Sequence, residues 1–576
     1  MLGNPFRVPR SRATLVCALV FFAACVWLTA LREPLPEQRG FVFALMLCVG
    51  AAALFAFARL VFALVLGGGL FLLLRAMTVM KQQYLESPLM PADFVYYLRS
   101  SLFETLRHYP HIYSVGLAVL VAIPLVLWLA WCGSRRWFAR WRGWTQALLR
   151  VGGVLACAVA FWICLLPTGP FAEVHARDAW DKMSDDAVLT DFFVNLRDSS
   201  VHLPPMSDAA TAAHDWQATA AATQAGDVPA GRYPDIVQVL EESTFDPAPY
   251  AHCTVPACDV AMLKPDARTR GTGVLRVHTF GGGTWVSEFA ALTGLPQDIF
   301  GPGGMYAPYV LAPRMRDSLP LLLKRLGYLT VAIYPTHGDF LNGEDAYKAY
   351  GVDHFYGADA LGLDDWEETD AQMFDAARRV YAKLEKSGVR KPGQQVFMMI
   401  LTINEHGPHD DPMSTLPKPF RNLLQGLPAD AALNFDTYLS RLHDSDVAMQ
   451  GLEHAFLDRA QPTVLVHFGD HQPSFDSLMS TLPRTLPPGL VPYRDYLTYY
   501  MVKSNVPGPA LPSYPMLDIA YLPGMVLQAA GLPLDPYFSA QKTLRERCDG
   551  RYDDCADKAL LASYHAWIFG RLHVFE

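Results

Sequence analysis

Two hydrophobic patterns divide the chain. Before residue 167, apolar positions run together in stretches of about twenty residues, the length a bilayer core requires. They cover residues 13–31, 40–58, 60–78, 111–132 and 144–166, with Arg59 splitting a run from Phe41 to Met77 that is too long for one span. From Tyr233 onward, short apolar runs alternate with longer amphipathic segments. The runs Asp235–Leu240, Val274–Phe280, Tyr328–Tyr334, Gln395–Ile403, Thr463–Phe468 and Leu497–Val502 predict strands, and helical periodicity falls near 315–326, 370–387, 432–458 and 517–530. Strands alternating with helices predict an α/β domain around a mainly parallel sheet covered on both faces. Between the two patterns, residues 167–230 read as a juxtamembrane helix and linker that ends in an Ala/Thr-rich stretch at 209–226. The expected division is a transmembrane domain at 1–166, a connector at 167–230 and an α/β domain at 231–576.

Composition sharpens this picture. Hydrophobic residues make up 51% of the 576, and the excess lies almost wholly before residue 167. The net charge of −9 contains no long run of one sign, which argues against a nucleic-acid partner. Arg7, Arg10 and Arg12 precede the first span, and Arg135, Arg136, Arg140 and Arg142 fill the loop between the fourth and fifth. With five spans, both clusters fall on the cytoplasmic side, so the expectation is a multi-pass inner-membrane protein with its large C-terminal part outside the cytoplasm. The first span is long and lacks a small-residue cleavage site, unlike a cleaved signal peptide. Lys81–Leu106, with Tyr, Phe and Leu among charges, reads as an interfacial segment or a plain connector on that outer side. Six cysteines lie in the apolar third, while Cys253/Cys258 and Cys548/Cys555 form close pairs in polar sequence. Such pairs read as disulfides in an oxidising compartment, with a zinc site as the other possibility.

The chemistry-bearing residues follow the predicted strands: Glu241, Glu242 and Ser243 after the first, Gly281–Thr284 after the second, His337 after the third, Glu405, His406 and His409 after the fourth, and Asp470–His471 after the fifth. In an open α/β sheet the ligand site lies off that carboxyl edge, so these distant residues should converge. Thr284 follows three glycines and opens an amphipathic helical segment; it is either an N-cap or a hydroxyl placed where a helix N-terminus favours a phosphate or sulfate. Asp470-His471 is a natural metal pair or a turn, Glu242 a ligand or a surface carboxylate, and His337 and His406 site or loop histidines. His409 could mark a second metal, but one metal is preferred.

The ordered motifs LEES (240–243), GGGTWVSEF (281–289), YPTHGD (334–339), TINEHGPHD (402–410), YLSRLHDSDVAM (438–449) and FGDHQP (468–473) resemble the sulfatase-like branch of the alkaline phosphatase superfamily. Within it, the chain is similar to the membrane-bound phosphoglycerol transferases of the lipoteichoic-acid-synthase type. The resemblance implies that Glu242, Thr284, Asp470 and His471 bind one divalent metal, that Thr284 is also the nucleophile, and that His337 and His406 contact the transferred group. Three departures stand out: the doubled glutamate makes Glu241 an alternative ligand, Gly-Gly-Thr-Trp replaces the usual small polar residues, and Gly343 stands in GDFLNGEDAY, where relatives commonly carry a Trp-Asn-Arg group.

Oxygen and imidazole ligands suit zinc or manganese, with magnesium also admissible. The implied reaction takes a headgroup, phosphoglycerol first, from a phospholipid of the outer leaflet and passes it through a phospho-threonine to a glycan or lipid-linked hydroxyl. Phosphoethanolamine transfer is the near variant. Hydrolysis of a phosphodiester or sulfate ester is a second class, although neither Cys253 nor Cys258 stands in the C/S-x-P-x-R context of formylglycine sulfatases. A non-catalytic membrane binding protein is a third.

Overall fold

The computed structural model describes residues 12–85, 89–100, 110–138, 143–175, 187–196, 201–223, 233–364, 366–475 and 478–576. Arg7, Arg10, Arg140, Arg142 and residues 101–106 lie outside them. The chain forms two compact units, 1–199 and 200–576.

In the first unit, five of the described helices are long and apolar enough to cross a membrane: α1 (Arg12–Leu28), α2 (Pro36–Phe57), α3 (Leu60–Leu85), α4 (Pro110–Gly133) and α5 (Trp144–Cys164). Large apolar side chains such as Leu120, Leu155 and Trp162 face outward, as lipid-facing positions do. Arg59 breaks the long apolar run for a physical reason. Ala58 turns left-handed (φ 54°), and the Arg59 guanidinium donates to the carbonyls of Trp131 (2.7 Å) and Ser134 (2.9 Å), satisfying orphan acceptors at the end of α4. The expected interfacial segment is partly helical at Asp93–Ser100, anchored by a buried Lys81–Asp93 ion pair of 2.9 Å. A further short helix, Val188–Val194, is wholly buried, and Glu33 accepts the N–H groups of Leu189 and Thr190 at its start.

The second unit is built on an eight-stranded sheet in the order β4-β3-β5-β1-β6-β7-β2-β8. Its strands are β1 (Asp235–Glu241), β2 (Thr269–Arg276), β3 (Leu329–Ile333), β4 (His354–Tyr356), β5 (Val396–Leu401), β6 (Thr463–Gly469), β7 (Leu497–Ser504) and β8 (Leu517–Asp518). The first five in that order are mutually parallel, and β7 runs antiparallel between β6 and β2. Alternate residues feed two cores: Ile236 and Leu240 of β1 enter one, Val237 and Val239 the other. Both faces are therefore covered, as expected of an α/β domain. The disulfides Cys253–Cys258 and Cys548–Cys555 are formed, which removes the zinc alternative.

The sequence expectations need correction at two places. Strand β2 lies at 269–276 and not at 274–280, because its residues are half-buried and polar (TRGTGVLR) and present no apolar run. Residues 209–223, expected as linker, form helix α6 (Ala209–Thr223). Ala212 and Trp216, one turn apart, are buried in the larger core, and the Trp216 indole donates to Ser563 Oγ at 3.1 Å. An Ala-rich stretch reads as low complexity, yet alanine is the best helix former, and the Ala212/Trp216 spacing supplies an apolar face.

Candidate active site

Helix α7 (Thr284–Thr293) begins where the chain leaves the glycine run. Gly281 and Gly283 take φ of 70° and 90°, a left-handed backbone that a side chain would strain. Gly283 is the N-cap and Thr284 the first helical residue. The hydroxyl therefore does not cap; Thr284 Oγ1 donates to Glu242 Oε2 at 2.9 Å. An N-cap side chain would accept from the backbone instead, so the capping reading of Thr284 is set aside.

Glu242 follows β1, and Asp470-His471 follows the neighbouring β6. The two strand ends press together at Gly469, where a Cβ would stand 1.8 Å from the Thr244 carbonyl oxygen, so no other residue fits. That approach lets Asp470 Oδ1 accept the backbone N–H groups of Ser243 and His471, each at 2.7 Å. Ser243 itself has φ 49° and donates its hydroxyl to Glu242 Oε1 at 2.9 Å. Ser287, one turn into α7, donates to the Asp470 carbonyl at 2.7 Å and ties the helix to this strand end.

The outcome is a convergence of lone pairs. His471 Nδ1 faces the Gln472 carbonyl at 3.1 Å, so Nδ1 carries a proton and Nε2 points the other way. Nε2 then lies 3.3 Å from Asp470 Oδ2, 3.4 Å from Glu242 Oε1 and 3.5 Å from Thr284 Oγ1. Asp470 Oδ2 is buried with no hydrogen-bond partner. An orphaned carboxylate oxygen inside a buried group of two carboxylates and an imidazole fits a dication, and this donor set suits zinc or manganese. Burial, and next the charge of Glu242, push the Asp470 carboxyl well above its ordinary range; a bound dication would reverse that push.

Glu241, the alternative ligand, is not in this group. It alternates to the other side of β1, where it is fully buried near Asp370 and Glu405, and burial first and those two carboxylates next raise it well above the carboxylate range. His337 and His406 stand at the same sheet edge, after β3 and β5. His337 Nδ1 pairs with Asp359 at 2.9 Å, and His406 Nδ1 donates to the Gly407 carbonyl at 2.7 Å. His409 is committed elsewhere: its Nε2 meets the Glu405 carbonyl at 2.8 Å, its ring packs against Tyr438 and Phe475, and burial pushes its pKa down to about 3.

Three residues near the site were not singled out in the sequence. The Gln472 carbonyl serves both His471 Nδ1 and Gly281 N–H (2.9 Å), so it fixes the imidazole and the glycine loop together. Its position inside the FGDHQP motif was the available signal. Arg441 clasps the His406 loop, donating to the carbonyls of His406 (2.7 Å) and Pro408 (3.1 Å) and to Asp411 (3.0 Å). Glu288, one turn behind Thr284, is fully buried, and burial raises its pKa to about 8. A lone carboxylate on the apolar segment TWVSEFAALT was its signal.

Residues 234–513 match the family model described as Sulfatase. An uncharacterized protein of Haemophilus influenzae is 30% identical over 351 residues, covering 59% of this chain and 62% of that protein. A putative cyclic beta-1,2-glucan modification protein of Rhizobium meliloti is 26% identical over 424 residues, covering 70% of this chain and 62% of that one. The chain thus spans about 62% of the length of each of these relatives. Among solved structures, the phosphoglycerol transferase GacH of Streptococcus pyogenes, in complex with sn-glycerol-1-phosphate, aligns with a TM-score of 0.49 at 17% identity, covering 64% of this chain and 95% of that one. The Sulfatase match thus falls on the mainly parallel α/β domain that follows the five apolar helices.

Proposed function

We propose that the protein is a membrane-anchored, metal-dependent transferase that moves a phospholipid headgroup, phosphoglycerol first, to a glycan or lipid-linked hydroxyl through a phospho-threonine. The observation that carries this reading is the Thr284 hydroxyl, held at a helix N-terminus by Glu242 at 2.9 Å and facing Asp470 and His471. A divalent cation held by Glu242, Asp470, His471 and Thr284 would supply Lewis acidity, lowering the pKa of the hydroxyl and offsetting charge that develops at phosphorus.

The residues of the chain do the rest. Thr284 Oγ1 gives its proton toward Glu242 Oε2 along the existing hydrogen bond and forms a bond to the donor phosphorus. The bond from phosphorus to the diacylglycerol oxygen breaks, and that oxygen takes up a proton. The positive end of α7 favours the phosphoryl anion left on Thr284. In the second half an acceptor hydroxyl, losing its proton, attacks the same phosphorus, and Oγ1 leaves and is reprotonated. His337 and His406 are assigned to the headgroup at the neighbouring strand ends. Five apolar helices support the choice of a lipid donor, which then need not leave the bilayer.

Incubation of the purified protein with phosphatidylglycerol or phosphatidylethanolamine, radiolabelled in the headgroup, tests the reading. Diacylglycerol release with label on the Thr284 peptide is expected from the first lipid. Release from the second alone would move the headgroup to phosphoethanolamine, and steady release of free headgroup phosphate with no acceptor dependence would make the protein a hydrolase.

A further inference from the structure

Thr284 is carried on an excursion of the chain that closes on its own start through a charged group the reaction above does not use. His278, just past β2, is buried, and both of its ring nitrogens face carboxylates: Nδ1 lies 2.8 Å from Asp298 Oδ2 and Nε2 3.0 Å from Asp518 Oδ2. A neutral imidazole has one N–H and can serve only one such acceptor, so the two contacts together require the imidazolium. Burial by itself would lower the His278 pKa, but the charges of Asp298 and Asp518 outweigh it and hold the value well above 6.5. Asp298 stands in the 3-10 helix Gln297–Phe300, beyond the end of α7, and Asp518 closes β8. Gln297 adds a second tie, its Nε2 donating to the His278 carbonyl at 3.1 Å. Residues 278 and 298 are thus joined, and between them lie the three glycines, Thr284 and the whole of α7.

We propose that the His278 imidazolium, bridging Asp298 and Asp518, is a positioning residue for the transfer: it staples the two ends of the 278–298 excursion and so fixes where Thr284 Oγ1 stands against Glu242 and His471. The proposal rests on the reading of Thr284 as the nucleophile. Glycine gives up more conformational freedom on ordering than any other residue, so Gly281–Gly283 cannot hold Thr284 in place by themselves. A shift of about 1 Å at a reacting atom costs roughly a hundredfold in rate. The same side chains do not make a second metal site. Asp553 is the carboxylate that could complete one with His278 and Asp298, but Arg276 Nη1 and Nη2 hold its two oxygens, the latter at 3.0 Å. Arg276 also faces Asp518 at 3.5 Å and Asp554 at 3.2 Å, so the four carboxylates already share two cations, the guanidinium and the imidazolium. The tyrosines beside Asp518, Tyr521 and Tyr552, stay neutral, burial pushing both well above the phenol range.

The test uses the full-length protein in mixed micelles with whichever of phosphatidylglycerol and phosphatidylethanolamine the wild type cleaves. Diacylglycerol release is followed from about pH 6 to about pH 10, with bound metal measured in the same samples. His278→Gln removes the charged clamp, and Asp298→Asn keeps an acceptor for Nδ1 while removing one of the two charges that hold the proton. In His278→Gln kcat should fall roughly ten- to hundredfold, with donor KM and metal content near wild type. The clamp is intact below the folded pKa of His278 and is lost as pH rises through it. Asp298→Asn lowers that pKa, so its kcat should drop away from wild type as pH rises and its alkaline limb should lie at lower pH. An Asp298→Asn profile that superimposes on wild type, or one lowered equally at every pH, overturns the charged clamp. So does kcat near wild type in a folded His278→Gln, or metal lost in step with activity, which would make the cluster part of the metal site. Where His278→Gln does not fold, Asp298→Asn decides alone, its side chain being 24% exposed, and failure of both to fold reduces the cluster to packing. Wild type that carries label on Thr284 while the variants fail these expectations leaves the transferase standing without the clamp. Wild type that releases no diacylglycerol from either lipid removes the transferase reading and the clamp with it.

Discussion

Thr284→Ala deletes the hydroxyl that reaches Glu242 and leaves the helix start to Gly283, which needs no side chain to cap. Turnover should therefore fall by roughly a thousandfold or more while stability shifts by less than about 1 kcal/mol. Thr284→Ser should retain measurable activity, since the attacking oxygen survives; an active Thr284→Ala protein, assayed on its true donor, would move the nucleophile elsewhere. Asp470→Asn probes the metal. Its amide oxygen can still take the N–H groups of Ser243 and His471, so the fold should persist, but the buried ligand charge at Oδ2 is lost. Metal retained after dialysis should drop by about 10- to 100-fold in affinity, read by elemental analysis. Glu288 gives a pH signature. Its folded value of about 8 lies above its ordinary 4.5, so between those pH values the folded chain holds the extra proton and stability declines as pH rises. The decline is about 1.4 kcal/mol per pH unit, and it should vanish in Glu288→Gln, which is neutral throughout. Thermal melts of the detergent-solubilised protein from pH 5 to 8 should show the variant gaining on wild type as pH rises, and a gap that does not change with pH contradicts the assignment.

At the level of elements, the close approach of β6 to the end of β1 is what brings Asp470 to Glu242. Gly469→Ala would put a methyl carbon 1.8 Å from the Thr244 carbonyl oxygen, against backbone that has no rotamer to yield. A loss of about 2–3 kcal/mol is expected, with metal binding falling alongside the melting temperature, because the two strand ends must part. Strand and helix existence in this domain was legible because β1, β3, β5 and β6 are buried on both faces and read as plain apolar runs. The same property made their carboxyl ends conspicuous, so Glu242, Asp470 and His471 could be picked out before their geometry was known. Strand β4 (HFY) and strand β8 (two residues) are too short to leave a pattern, and β2 is too polar. The choice between Glu241 and Glu242 was illegible because adjacent residues at a strand end face opposite sides, and only the register of β1 against β6 settles which side holds Asp470.

For the whole molecule the decisive question is sidedness. If all five apolar helices cross, their odd number puts the two ends of the apolar region on opposite faces of the membrane. Arg7, Arg10 and Arg12 before the first span, and Arg135 to Arg142 between the fourth and fifth, fall on one face under that count, and basic residues in short loops stay cytoplasmic. Residues after Leu166 are then expected outside. The disulfides Cys253–Cys258 and Cys548–Cys555 agree with that compartment, since such bonds persist where thiols are not kept reduced. A lipid donor drawn from the outer leaflet requires the same placement of Thr284. Paired reporters that are active only in the cytoplasm or only outside it, fused after Gly143 and after Gly169, should report opposite sides, cytoplasmic for the first and external for the second. Equal sidedness would mean that α5 does not cross. The α/β domain would then face the cytoplasm, where neither the disulfides nor an outer-leaflet donor has a place, and the proposed function would fall with the topology.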